Sequence, residues 1–261
     1  MNRLDLNQVA KWVNENIGDF HSRRINSLKT LQLDRLLTKN PYLFRAKNVT
    51  RASDLIASFL EAFLSSSEEK LFGDFLEHLA LYVAGITCGG QKSSGTGVDL
   101  DFTNEGVRYI VSVKSGPNWG NSAQHRELAR NLQNAVAVVK QADARANVNA
   151  VLGICYGKTR TSYLNGYLKV VGQNFWYLIS GNEDLYIDII KPIGYRAKEH
   201  NEMFQKSRDA LINKMTVEFV DRFCDTEGNI DWDKLVRANS GNFDMDAPPA
   251  VVQKGRLSRK P

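Results

Sequence analysis

The chain has 261 residues, 43% hydrophobic, 10% aromatic and 24% charged, figures of a globular protein that exclude disorder as its main state. A chain this long buries roughly three quarters of the surface its unfolded form exposes, so it needs neither disulfides nor a structural metal to hold a core. The net charge of +5 does not by itself single out nucleic acid: Lys254, Arg256, Arg259 and Lys260 fall in the last eight residues, which hold no acid, leaving 30 basic against 29 acidic groups in residues 1–253.

No window approaches the ~18 consecutive apolar residues of a membrane span. The N-terminus, MNRLDLNQVAKW, has no apolar run of the secretory kind. Cys88, Cys155 and Cys224 are odd in number and widely spaced, which fits reduced thiols rather than a disulfide framework or a zinc site. These features give the expectation of a cytoplasmic protein with no membrane. Residues 22–51 carry eight cations against the single Asp34, a patch that suits a phosphate backbone or a solvated helical surface equally well.

Along the chain, the first ~90 residues read as helical. Val9, Trp12, Val13 and Ile17 repeat at helical spacing, and Asn40-Pro41 breaks the pattern. Helix resumes over 52–64. Ser65-Ser66-Ser67 is expected to interrupt it, with Ser66 and Glu69 forming a capping box for a new helix over 68–87 that Gly89-Gly90 ends. The texture then changes. Residues 98–102 alternate, Asn104-Glu105-Gly106 is a turn, and 107–113 is β-branched and aromatic, which together predict a hairpin. A loop over 115–122 leads into a helix over 123–145, and 148–155 and 168–171 read as neighbouring strands. The rest is mostly helical, 204–223 being the longest run. The reading is a single α/β domain over 1–241 with helical N-terminal (1–90) and C-terminal portions, followed by a disordered basic tail, 242–261.

The stretch with chemistry in it is Gly97-Val98-Asp99-Leu100-Asp101-Phe102, a turn, then Tyr109-Ile110-Val111-Ser112-Val113-Lys114-Ser115-Gly116. Ser112 and Lys114 are two apart on a strand and share a face, while Val111 and Val113 share the other. A lysine in a strand otherwise apolar calls for a partner or a substrate. In a nuclease, Asp99 would help hold a divalent cation, and Lys114 would orient water or offset the charge that builds on phosphorus.

This arrangement, an Asp, a hairpin and a strand ending in Lys114-Ser115-Gly116 before a helix, resembles the PD-(D/E)xK nuclease core. That family normally has an acid two residues before the lysine, where this chain has Ser112. The strings Ser65-Ser66-Ser67-Glu68-Glu69, Phe72-Gly73-Asp74-Phe75-Leu76-Glu77 and Ser112-Val113-Lys114-Ser115-Gly116-Pro117-Asn118-Trp119-Gly120-Asn121 are similar to bacterial type II restriction endonucleases of the PmeII-like group, a likeness running to about Ser240. The resemblance implies a PD-(D/E)xK-like mixed sheet flanked by helices. It also implies a Mg²⁺-dependent bacterial enzyme that cuts double-stranded DNA at a short sequence, and two-fold DNA sites make a homodimer the simplest assembly.

The missing carboxylate has a candidate on the preceding helix. Glu69, Gly73, Glu77, Ala80 and Ala84 fall within one stripe at 100° per residue, and a charge at Glu77 among small and apolar neighbours is costly unless compensated. Nucleases of this class often bring such a Glu to the metal, so Asp99 and Glu77 are the expected ligands, with Glu69 second. An arginine pair across a helix interface is the structural reading of Glu77. Asp101 is open to two readings, an alternative ligand or a carboxylate bonded to the hairpin. Gln124, at the start of the helix after Lys114, faces the site or is a surface residue. Asn118 and Asn121 are candidate DNA contacts, and packing of their loop is the other reading for Trp119. In the acid-free loop 156–163, Lys158 and Arg160 are further candidates, Arg160 having the fork that reads guanine.

Asp225-x-Glu227-Gly228-Asn229-x-Asp231-x-Asp233 is not an EF-hand, since its glycine is misplaced and no Glu closes it. The four histidines have no ligand spacing, and neither a P-loop nor GxGxxG is present. Two other functions compete with site-specific cleavage. A repair or junction nuclease of the same fold would lack preference for a short duplex sequence. A non-catalytic DNA-binding module, which Ser112 makes conceivable, would bind without metal and cut nothing.

Overall fold

The computed structural model of the protein describes residues 1–164 and 166–241; the tail expected to be disordered lies outside them. The elements run α1 (Leu6–Thr30), α2 (Leu33–Leu36), α3 (Pro41–Ala46), α4 (Ala52–Cys88), β1 (Gln91–Lys92), β2 (Leu100–Asn104), β3 (Val107–Lys114), α5 (Ser122–Ala142), β4 (Val148–Ile154), β5 (Arg160–Leu164), β6 (Tyr167–Val171), α6 (Gln173–Ser180), α7 (Leu185–Asp188), α8 (Ile190–Ile193), α9 (Ala197–Phe223) and α10 (Trp232–Ser240).

The fold is mixed α/β, as expected. Among the described residues one six-stranded sheet forms, in the order β1-β2-β3-β4-β6-β5. β1, β2 and β3 are antiparallel neighbours, β3-β4 and β4-β6 are parallel, and β5 closes the far edge antiparallel to β6. The parallel β3-β4 pair needs a crossover, and α5 supplies it. Alternation along β3 sends its side chains into two cores. Val111 and Val113 join α4 residues Phe75, Leu76, Leu79, Ala80 and Val83, with Val9, Val13 and Ile17 of α1 and Phe175 and Trp176 of α6. Ile110 joins Leu128 and Leu132 of α5 and Ala150, Leu152 and Ile154 of β4. The sheet is therefore covered on both faces.

Two local expectations are corrected. The serine run does not interrupt the second helix, because α4 is continuous from Ala52 to Cys88. Ser66 donates its hydroxyl back to the Ala62 carbonyl at 3.4 Å, which satisfies the side chain inside the helix instead of capping a new one. The uninterrupted helix is long and apolar enough to cross a membrane, yet its apolar residues Phe75, Leu76, Leu79, Ala80, Val83 and Ala84 are core. The second correction is at 156–163. Only the turn 156–159 is irregular, and Arg160 begins an edge strand.

The chain divides into two compact units. The first comprises Met1–Leu31 and Ala62–Leu211 and contains the sheet; the second comprises Gln32–Glu61 and the described chain from Ile212. The second unit is helical. It buries Leu36, Phe44, Phe59, Phe219 and Leu235, with Phe44 and Phe59 edge to face at 4.6 Å. Its turn at Asp225, where the carboxylate accepts from the Glu227 and Asn229 amides, is structural. Asp231 caps α10 by accepting from Lys234 N–H at 2.9 Å.

Candidate active site

The site lies in the first unit, where β3 ends. Asp99 immediately precedes β2, its N–H donating to Val111 carbonyl at 2.9 Å. The backbone is thus tied to β3 before the side chain does anything. The carboxylate then receives three donors from β3: Val113 N–H at 2.6 Å, Ser112 hydroxyl at 3.2 Å and, as an ion pair, Lys114 Nζ at 3.7 Å. Ser112 is 1% exposed. Where the PD-(D/E)xK pattern has an acid, this chain uses a hydroxyl that holds Asp99 in place.

Glu77 arrives from α4, on the stripe expected from its spacing. Ala80 and Ala84 of that stripe are buried in the core, and a Cβ at Gly73 would stand 3.3 Å from Ser115 Oγ. The stripe therefore meets the sheet where β3 leads into Ser115, and Gly73 lets the helix approach. Glu77 is half-buried, and among the described residues it enters no ion pair, so no arginine takes it. Burial holds its carboxyl above the ordinary range, and the Asp99 charge adds to this, while Lys114, Lys92 and His78 oppose it. Two carboxylates acting on each other beside a lysine make a hard oxygen donor set. Such a pair suits Mg²⁺, which takes one or two carboxylates and keeps several waters, and a divalent charge would relieve their repulsion. Among the described residues no cluster of three or more His, Cys, Asp or Glu is built for a metal, so Asp99 and Glu77 would act as a pair.

The other carboxylates divide differently. Asp101 is held bidentately by Arg108, at 3.0 and 2.7 Å, which fits its reading as a hairpin carboxylate. Glu69 lines a cavity of about 380 Å³ with Phe20, Glu68, Phe72, Ser115, Gly116, Asn118, Trp119 and Tyr156, set beside the Asp99 cluster. Glu68 is paired with Arg24 at 2.8 Å, and Arg24 lies 3.9 Å from the Phe204 ring centroid, so part of the basic patch at 22–51 is neutralised.

The loop after Lys114 brings Asn118 to that cavity. Trp119 packs the loop: its ring meets His125 edge to face at 4.4 Å, lies 5.7 Å from Lys114 Nζ, and its buried indole nitrogen has no hydrogen-bond partner among the described residues. Asn121 and Gln124 form a reciprocal capping box on α5. Asn121 Oδ1 accepts from the Ala123 and Gln124 amides, and Gln124 Oε1 accepts from Asn121 N–H. The cap engages the two side-chain oxygens, which leaves the amide nitrogens outside it. Tyr156 sits against Gly116, where a Cβ would come 2.4 Å from the ring. The 156–159 turn bearing exposed Lys158 is thereby anchored to the loop that follows Lys114, and Arg160, also exposed, opens β5.

One member of this neighbourhood is missing from the sequence reading: Lys92, in the two-residue strand β1. A strand this short has no periodicity to detect, and only its pairing with β2 brings it beside Asp99.

A family model for the type II restriction endonuclease EcoO109I matches residues 7–201. No curated protein matches the chain. The matched span is well over half the chain and includes Glu77, Asp99, Ser112 and Lys114, and on that extent the chain belongs to the type II restriction endonuclease EcoO109I family, nucleases that act on DNA.

Proposed function

We propose that this protein is a Mg²⁺-dependent PD-(D/E)xK enzyme that hydrolyses phosphodiester bonds of double-stranded DNA within one short sequence, as a homodimer in the bacterial cytoplasm. The observation that carries the reading is the approach of Glu77 on α4 to the Asp99–Lys114 pair, a carboxylate pair beside a cation. Within the family, the PmeII-like grouping rests on the strings at 65–69, 72–77 and 112–121.

Asp99 and Glu77 are the residues that would hold the cation. When bound, the cation polarises the scissile phosphate and lowers the pKa of a coordinated water. Val113 N–H and Ser112 keep Asp99 aimed, so little reorganisation is needed when substrate arrives. Lys114 orients the attacking water or offsets the charge growing on phosphorus in an in-line displacement. Asn118, Asn121 and Gln124 after β3, and Lys158 and Arg160 beyond β4, contact phosphates or base edges. Arg160 can make the bidentate contact that reads guanine.

Incubation with phage DNA in Mg²⁺ or in EDTA tests the proposal. Discrete fragments in Mg²⁺ and intact DNA in EDTA are expected. DNA binding without cleavage in either buffer would leave a binding module in place of the enzyme.

A further inference from the structure

β1 supplies a charge that none of the assigned roles uses. Its residues pair with β2 in the register Gln91↔Asp101 and Lys92↔Leu100. Directly opposed residues of an antiparallel pair stand on the same face, so Lys92 shares the face of Leu100. Leu100 is buried in the same core as Leu76, Leu79 and Ala80 of α4, the helix that carries Glu77. The same register fixes which end of the sheet Lys92 occupies. Ser93 N–H donates to the Asp99 carbonyl at 3.2 Å, and Leu100 is opposite Val111, three residues before Lys114.

Lys92 is exposed and, among the described residues, enters no ion pair. A lysine whose task was to neutralise Glu77 would be expected to close on it as a pair, and this one does not. The cavity that Lys92 lines with Ser93, Ser94 and Thr103 includes one carboxylate, Asp101, which Arg108 already holds bidentately. Residues 78–98, which run from Glu77 to Asp99, contain no acid, and Lys92 is followed by Ser93, Ser94, Gly95 and Thr96. An ammonium on a flexible stem with three donors suits a phosphate oxygen, which needs no fixed fork.

We propose that Lys92 is a second cation of the cleavage centre and contacts a backbone phosphate of the bound strand on the α4-facing side of the site. The proposal rests on the nuclease reading given above. It assigns Lys92 to substrate binding and leaves Lys114 with the reacting phosphate.

The experiment compares wild type, Lys92→Ala and Lys92→Arg. Each is titrated in EDTA with a duplex containing the sequence that wild type cuts, between about 50 and 200 mM salt. Single-turnover cleavage in Mg²⁺ is measured beside it. Loss of one phosphate contact lowers the slope of log K against log salt by about one. It also weakens binding about tenfold, as one charge-assisted contact would. Lys92→Arg restores the slope, which a merely structural role would not require. If wild type cuts and Lys92→Ala keeps both slope and affinity, the proposal is wrong while the nuclease reading stands. If wild type neither binds nor cuts DNA, the nuclease reading falls and this one falls with it.

Discussion

Replacing Lys114 by Met removes the charge and keeps a stem to pack beside Trp119, whose ring centroid lies 5.7 Å from Nζ. At 3.7 Å from Asp99 Oδ2, the ammonium feels a Coulomb attraction of about 4–5 kcal/mol at an effective dielectric of ~20. Little of that survives as stability. The two side chains are 31% and 20% exposed, water screens and solvates both, and partly exposed pairs contribute about 1 kcal/mol or less. Asp99 also keeps Val113 N–H and Ser112 hydroxyl as donors. Lys114→Met should therefore change the unfolding free energy by about 1 kcal/mol at most. Loss of a cation aimed at developing charge costs far more in rate, about 10²–10³-fold or 2.7–4 kcal/mol. The assays are urea unfolding and single-turnover cleavage with enzyme in excess. A variant that cuts within tenfold of wild type would refute the assignment, as would one whose lost activity is matched by lost stability.

Glu77→Gln should raise the Mg²⁺ concentration needed for half-maximal cleavage at least tenfold, and should leave unfolding in EDTA unchanged or more favourable to the fold. Burial and Asp99 already disfavour its ionised form, so marked destabilisation in EDTA would point to a structural ion pair instead. Asp101→Asn removes a hairpin contact to Arg108 that is partly exposed; the loss of stability should stay near 1 kcal/mol or below, with the Mg²⁺ titration of cleavage unmoved. A shift in that titration would make Asp101 a ligand. His21, buried and stacked on His200 with ring centroids 4.3 Å apart, has its pKa lowered from 6.5 to about 4 by burial first, then by His200 and Arg24. The unfolded chain thus binds a proton that the fold excludes between about pH 6.5 and 4, and stability falls as pH falls through that window, by up to about 3 kcal/mol. His21→Leu should remove that part of the slope in urea titrations at pH 7 and 4.5, and an unaltered slope would show that His21 does not cause it.

How much of this was legible depended on how local the signal was. The β2–β3 hairpin was readable because alternation, a turn and β-branched residues all agree over 98–113. So was the helical stripe ending in Glu77, since its side-chain directions follow from a period of 3.6. The missed features depend on contacts made after folding. Ser65-Ser66-Ser67 reads locally as a break, yet α4 runs through it with buried residues on both sides, Leu60 and Leu64 before and Phe75 and Leu76 after. Asn121 and Gln124, three residues apart, form a capping box through their side-chain oxygens, a pairing that leaves open what their amide nitrogens meet. Lys92 could not be found by pattern, because a two-residue strand is defined by its partner alone. Tyr156 on Gly116 joins two loops 40 positions apart, which no spacing announces.

The most direct measurement of the central claim is to sequence the ends of the DNA fragments that the wild-type protein makes in Mg²⁺. The account expects every end to fall at one position within one short sequence, cut on both strands with two-fold symmetry. Ends scattered without common sequence, or clustered at branched or damaged structures, would contradict it.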